Sequence, residues 1–78
     1  MRVLFFGQLK TLAGCSVHEL PADELSADEL WAELLARFPA FAALRAHTRL
    51  ACNSEFAPPD ARLLAGDEIA LIPPVSGG

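Results

Sequence analysis

Between Ser26 and Pro39 the segment SADELWAELLARFP sets Leu30, Trp31, Leu34, Leu35 and Phe38 at helical spacing, which gives one helix a single apolar side. Ser26 and Glu29 stand three apart in the capping-box arrangement, in which each side chain satisfies an orphan N–H of the first turn, and Pro39 ends the run. A stripe of this width must lie on something flat and apolar. The remaining apolar segments read as strands, so the fold class is α+β, with one main helix on one face of a sheet.

The first strand is expected in RVLFFGQL, which ends in a turn-prone LAGCS. VHEL alternates before Pro21 stops it, giving a short second strand and a hairpin with the first. After the helix, FAALRAH adds one more helical turn, TRLACN is a third strand and NSEFAPPD its turn. ARLL is a brief strand or an extended connector. Gly66 and Asp67 make a tight turn in which glycine takes positive φ without steric cost. EIALIP is the last strand. This order fits a β-grasp with a mixed sheet of four to five strands. At 78 residues it is expected to form one domain, 1–78, with a flexible tail over 73–78.

In a β-grasp the first and last strands lie side by side in the middle of the sheet, and here both are apolar at successive positions. Val3 and Phe5 point one way and Leu4 and Phe6 the other, while Ile69 and Leu71 oppose Ala70 and Ile72. One helix covers one face only. Leu4, Phe6, Ala70 and Ile72 therefore form a candidate partner-binding face, unless the helix and long loops wrap both sides.

A chain that is 53% hydrophobic and 21% charged belongs with globular proteins. Its net charge of −4, with carboxylates spread along the chain, lacks the basic footprint that nucleic acid requires. Cys15 and Cys52 show no CxxC spacing and read as reduced thiols, which points to the cytoplasm. With His18 and His47 they make no finger-like pair, so no metal is expected. LAGC resembles a lipoprotein cleavage site, but Gln8, Lys10 and Thr11 break the apolar run before it. No stretch approaches the length of a membrane span.

Past Ile72 the sequence reads PPVSGG. Pro73 and Pro74 have no N–H to extend a ladder, so pairing stops there and the backbone is held extended. Six residues at roughly 3.3 Å each reach about 20 Å, enough to thread another protein's active site. Val75, Ser76 and Gly77 would follow the prolines into such a channel, and a glycine pair passes where little more than bare backbone fits. The useful group is then the α-carboxylate of Gly78. That anion is a poor electrophile and needs activation as a mixed anhydride with a nucleotide. The sequence carries no P-loop, so a partner would use the ATP and this chain would be the substrate, with no cofactor of its own. His18, His47, Asp67 and Glu68 are expected to be structural.

VLFFGQL, ACN and above all GDEIALIPPVSGG resemble the small, sulfur-carrying subunits of molybdopterin synthase, across essentially the whole chain. The resemblance implies a ubiquitin-like fold whose terminal glycine is adenylated by an E1-like activating enzyme and converted to a thiocarboxylate with sulfur from a donor protein. The tail then enters the large catalytic subunit and delivers sulfur to precursor Z, building the dithiolene of molybdopterin. Gly78 would carry the sulfur, Gly77 would permit passage, and Pro73 to Ser76 would line the entry. Catalytic side chains would belong to the large subunit, and the assembly would hold two small and two large subunits. Sibling carriers share the fold and the diglycine, namely the thiazole-synthesis sulfur carrier and modifiers that join lysine. A passive β-grasp interaction module is the alternative from another class.

Overall fold

The computed structural model describes residues 1–58 and 60–74. Seven strands, β1 Arg2–Phe5, β2 Val17–Glu19, β3 Glu24–Ser26, β4 Arg49–Cys52, β5 Glu55–Phe56, β6 Arg62–Leu64 and β7 Glu68–Ile72, accompany helices α1 Gly7–Ala13 and α2 Ala27–Arg37. The main sheet has the order β2-β1-β7-β4-β5, and β3 and β6 form a separate pair. β1 and β7 run parallel at its centre, with Arg2, Val3, Leu4 and Phe5 opposite Glu68, Ile69, Ala70 and Leu71. All other pairings are antiparallel. This is the β-grasp, ubiquitin-like arrangement, a mixed sheet with its main helix on one face.

The helix begins as its sequence dictates. Glu29 N–H donates to Ser26 Oγ at 3.1 Å and Ser26 N–H donates to Glu29 Oε1 at 2.9 Å, a closed capping box. Such a cap stabilises by about 1 kcal/mol. Leu30, Trp31 and Leu34 are buried in one cluster with Val3, Phe5, Leu50, Ile69 and Leu71. Burial alternates along β7 as it must when one face is covered: Ile69 and Leu71 are buried, Ala70 and Ile72 only partly.

Several local features differ from the sequence expectation. The first strand stops at Phe5, because Gly7 turns the chain at φ +54° and α1 follows, carrying Leu9 into the core. LAGCS is consequently the end of a helix, with Gly14 at φ +74° donating to Lys10 O at 3.0 Å. β1 and β2 do pair, but α1 replaces a tight hairpin turn between them. β3 was hidden in PADEL, where Leu25 faces Leu63 and Arg62 Nε reaches Glu24 Oε2 at 3.0 Å. β5 lies within the expected turn after β4, the two joined by Asn53 and Ser54, both at positive φ as a two-residue hairpin of this hand requires. ARLL is a strand, FAALRAH forms parts of two short 3₁₀ turns, and Gly66 sits at φ +92°.

At the far end of α2 the core turns aromatic. Phe38 and Phe41 stack with centroids 5.0 Å apart, and Phe5 meets them edge-on at 5.5 Å and 5.2 Å. His18 lies 5.4 Å from Phe38, with its Nε2 buried and without a hydrogen-bond partner among the described residues. Burial first, and then the nearby Arg37, hold its pKa below the ordinary 6.5, against the pull of Glu19. The folded state therefore favours neutral His18. Stability is full above the unfolded pKa and falls as pH drops through that value toward the folded one. Urea titrations from about pH 7 to pH 5 should show this decline, and His18→Gln should flatten it; an equal slope in both proteins would contradict the assignment.

Candidate functional site

The open side of the main sheet carries a continuous row. Register places Val17 beside Leu4, Leu4 beside Ala70, Ala70 beside Ala51, and Ala51 beside Phe56, so one apolar line crosses all five strands. Val17 is 40% exposed and Phe56 61%, while Leu4 and Ala70 are half-buried. Phe6, 48% exposed, extends the backbone past β1, and it lines a shallow depression of about 370 Å³ with Leu4 and Val17. Ile72 belongs to the same face, opposite Arg49. Leu4, Phe6, Ala70 and Ile72 thus come together as the alternation implied. Val17, Ala51, Phe56 and Arg49 complete the face; register across strands, which a single segment's pattern does not carry, was needed to find them.

Charge borders the row. On the side away from the tail, Arg2 lies between Glu19 and Glu68 in register, and its Nε is 3.3 Å from Glu19 Oε1. On the tail side β7 ends at Ile72 and the chain continues through Pro73 and Pro74. Pro73 passes close over the β1–α1 junction: a methyl group on Gly7 would come within 3.1 Å of Pro73 Cγ. The root of the tail is therefore held at the edge of the open face. The expectations for Val75, Ser76, Gly77 and Gly78 lie outside the described residues.

The ACN and GDE segments turn out to be one clamp. Asn53 N–H donates to Glu68 O at 2.8 Å, Glu68 N–H donates to Asn53 Oδ1 at 3.0 Å, and Asn53 Nδ2 donates to Asp67 Oδ1 at 3.1 Å. Asp67 Oδ2 accepts from Leu64 N–H at 2.8 Å and from the Cys52 thiol at 3.5 Å. The β4–β5 hairpin is thereby tied to the turn that starts β7. Leu64 N–H and then Asn53 stabilise the charged form of Asp67 and lower its pKa. Burial, followed by the neighbouring Asp67, pushes the Cys52 thiol up, so it stays protonated and is a weak nucleophile at neutral pH. Cys15 and Cys52 are both free. His47 is exposed, and among the described residues no three potential metal-ligating side chains cluster. No helix among them is long and apolar enough to cross a membrane.

A family model described as the ThiS family matches residues 3–78. The human protein named molybdopterin synthase sulfur carrier subunit is 34% identical over all of this chain and 93% of its own length. The crystal structure of small archaeal modifier protein 1 from Haloferax volcanii superimposes with a TM-score of 0.73 at 30% identity, covering 95% of each chain. A structure described as the complex of subunits 1 and 2 of molybdopterin-converting factor from Helicobacter pylori contains a chain with TM-score 0.71 and 29% identity, covering 99% of this chain and 96% of that one.

Asn53 combines one backbone and three side-chain hydrogen bonds, the third of these from Nδ2 to Cys52 Sγ at 3.7 Å, with a φ of +51°, which asparagine tolerates better than most residues. Asn53→Ala should cost about 1–3 kcal/mol in chemical denaturation. A loss below about 0.5 kcal/mol, the ordinary surface range, would show that the clamp carries no weight.

Proposed function

This chain belongs to the ThiS family, and from that membership we propose that it is the sulfur carrier of a molybdopterin synthase. Its full-length likeness to proteins named molybdopterin synthase sulfur carrier subunit carries the proposal. The open apolar face beside the root of the tail supports it physically. A large catalytic subunit docks on Leu4, Phe6, Ala70 and Ile72, and the tail from Pro73 to Gly77 threads into that partner's active site. The Helicobacter pylori complex of subunits 1 and 2 supports a partner of this kind.

The chemistry resides in the Gly78 carboxylate. An E1-like enzyme supplies ATP: a carboxylate oxygen attacks the α-phosphorus, pyrophosphate leaves, and the mixed anhydride makes the carbonyl a good electrophile. A sulfur donor protein then delivers sulfur at the sulfide level, which attacks the carbonyl carbon; the bond to AMP breaks, AMP leaves, and a thiocarboxylate remains. Held in the large subunit beside precursor Z, that soft nucleophile forms a C–S bond to the substrate in an effectively intramolecular step; water then cleaves the acyl–sulfur bond, leaving sulfur on the substrate and returning Gly78 as a carboxylate, and two such transfers complete the dithiolene. The domain contributes binding and reach. These steps need no cysteine of this chain, and Cys52 is held as a thiol by burial and Asp67. The work takes place in the cytoplasm.

The likeness to a small archaeal modifier favours one second reading, in which the activated Gly78 joins a lysine amine. The two differ in product: a free thiocarboxylate consumed by precursor Z, or a stable isopeptide.

A variant lacking Gly77 and Gly78 should fold and still bind the large subunit, yet transfer no sulfur to precursor Z. A Cys15→Ala, Cys52→Ala double variant should transfer sulfur normally. Dithiolene formed by the truncated chain in a reconstituted synthase would overturn the proposal, as would inactivity of the double variant when correctly folded.

A further inference from the structure

Arg49 stands on the open face opposite Ile72, where the tail departs. Its guanidinium carbon lies 4.3 Å from the centre of the Phe56 ring. Among the described residues no carboxylate comes within ion-pair distance of it, whereas Arg2 on the same face already has Glu19. Round the β5 edge of the sheet, a groove of about 600 Å³ opens between α2 and the β4–β5 hairpin. Trp31, Arg45, Arg49 and Phe56 line it with small residues such as Ala46 and Ala57, and no carboxylate is part of the lining. Arg45 lies 5.7 Å from the centre of the Trp31 ring and is held from outside by Asp28 at 3.1 Å. Two of the six basic residues of a chain with net charge −4 thus share one aromatic groove.

We propose that the partner covering the open face reaches round its β5 edge with an acidic segment, and that a carboxylate of this segment pairs with Arg49. The proposal rests on the sulfur-carrier function above, because it requires the large subunit to occupy that face. Covering the row from Val17 to Phe56 strips water from Arg49 as well, since its guanidinium is stacked on the last ring of the row. A guanidinium buried without a partner is strongly unfavourable, and a carboxylate opposite it restores two parallel hydrogen bonds. Stacking on Phe56 orients the planar group in advance, so little rotamer freedom is lost on pairing. Alanine and aromatic walls suit the side chains of a peptide, and the overall negative charge opposes a polyanion such as nucleic acid.

Calorimetric titration of the cognate large subunit at low and at raised salt tests this. Arg49→Glu should weaken binding about tenfold or more and flatten the salt dependence, with Arg49→Lys falling between it and the native chain. Arg49→Gln should give a smaller loss of the same sign, and it serves if the Glu variant fails to fold. Val17→Asp, distant from the groove on the same face, separates the two claims. If Val17→Asp abolishes binding while the Arg49 variants bind like the native protein, the acidic contact is wrong and the docking face stands. If the native chain does not bind the large subunit at all, both fail. Competition by inorganic phosphate at matched ionic strength would assign the groove to phosphate and overturn the carboxylate pairing.

Discussion

The parallel pairing of β1 with β7 is the constraint from which the rest of the molecule follows. It brings the two ends of the sequence together at the centre of the sheet, where each strand is flanked on both sides and its hydrogen bonds are protected. Val3, Phe5, Ile69 and Leu71 become the floor of the core, and α2 closes over them with Leu30, Trp31 and Leu34. The same pleat sends Leu4 and Ala70 to the other side, where no helix among the described residues covers them. Core and open face are two consequences of one register. A one-residue slip would exchange them.

Placing the last strand at the centre of the sheet also explains how a thin tail can leave a firm base. β7 is paired with β1 from Glu68 to Leu71 and with β4 from Ile69 to Ile72, and it is pinned at its start by the Asn53–Asp67 clamp, at the end opposite the tail. Pro73 and Pro74 then end the ladder by removing its donors. The root of the tail is thus carried by a strand hydrogen-bonded to a neighbour on each side. The open face lies beside the tail's root, so a partner seated on Leu4, Ala70 and Ile72 would stand where the chain leaves the sheet.

Much of this was legible in the sequence, for identifiable reasons. α2 announced itself through its capping box and five stripe positions, and the central strands through apolar residues on both faces. Gly66 marked its turn because only positive φ serves there. α1 escaped notice because seven residues with one fully buried side chain, Leu9, are too few to show a period, and LFFGQL reads as a longer strand. β3 and β5, three and two residues long, exist through their partners and have no pattern of their own. The clamp between ACN and GDE joins residues 14 apart, and the Val17-to-Phe56 row joins five strands, so both depend on tertiary register. The tail was read from chemistry instead of pattern, prolines for stiffness and glycines for thinness, and its outer residues lie beyond those the structure describes.

The central claim is that the Gly78 carboxylate is the group other enzymes charge with sulfur. Its most direct test is the intact mass of the protein after incubation with ATP, an E1-like activating enzyme and a sulfur donor. The mass should rise by the difference between one sulfur and one oxygen atom, and fragmentation should place that change at Gly78. An unchanged mass with partners shown to be competent, or a sulfur located on Cys15 or Cys52 instead, would contradict the account.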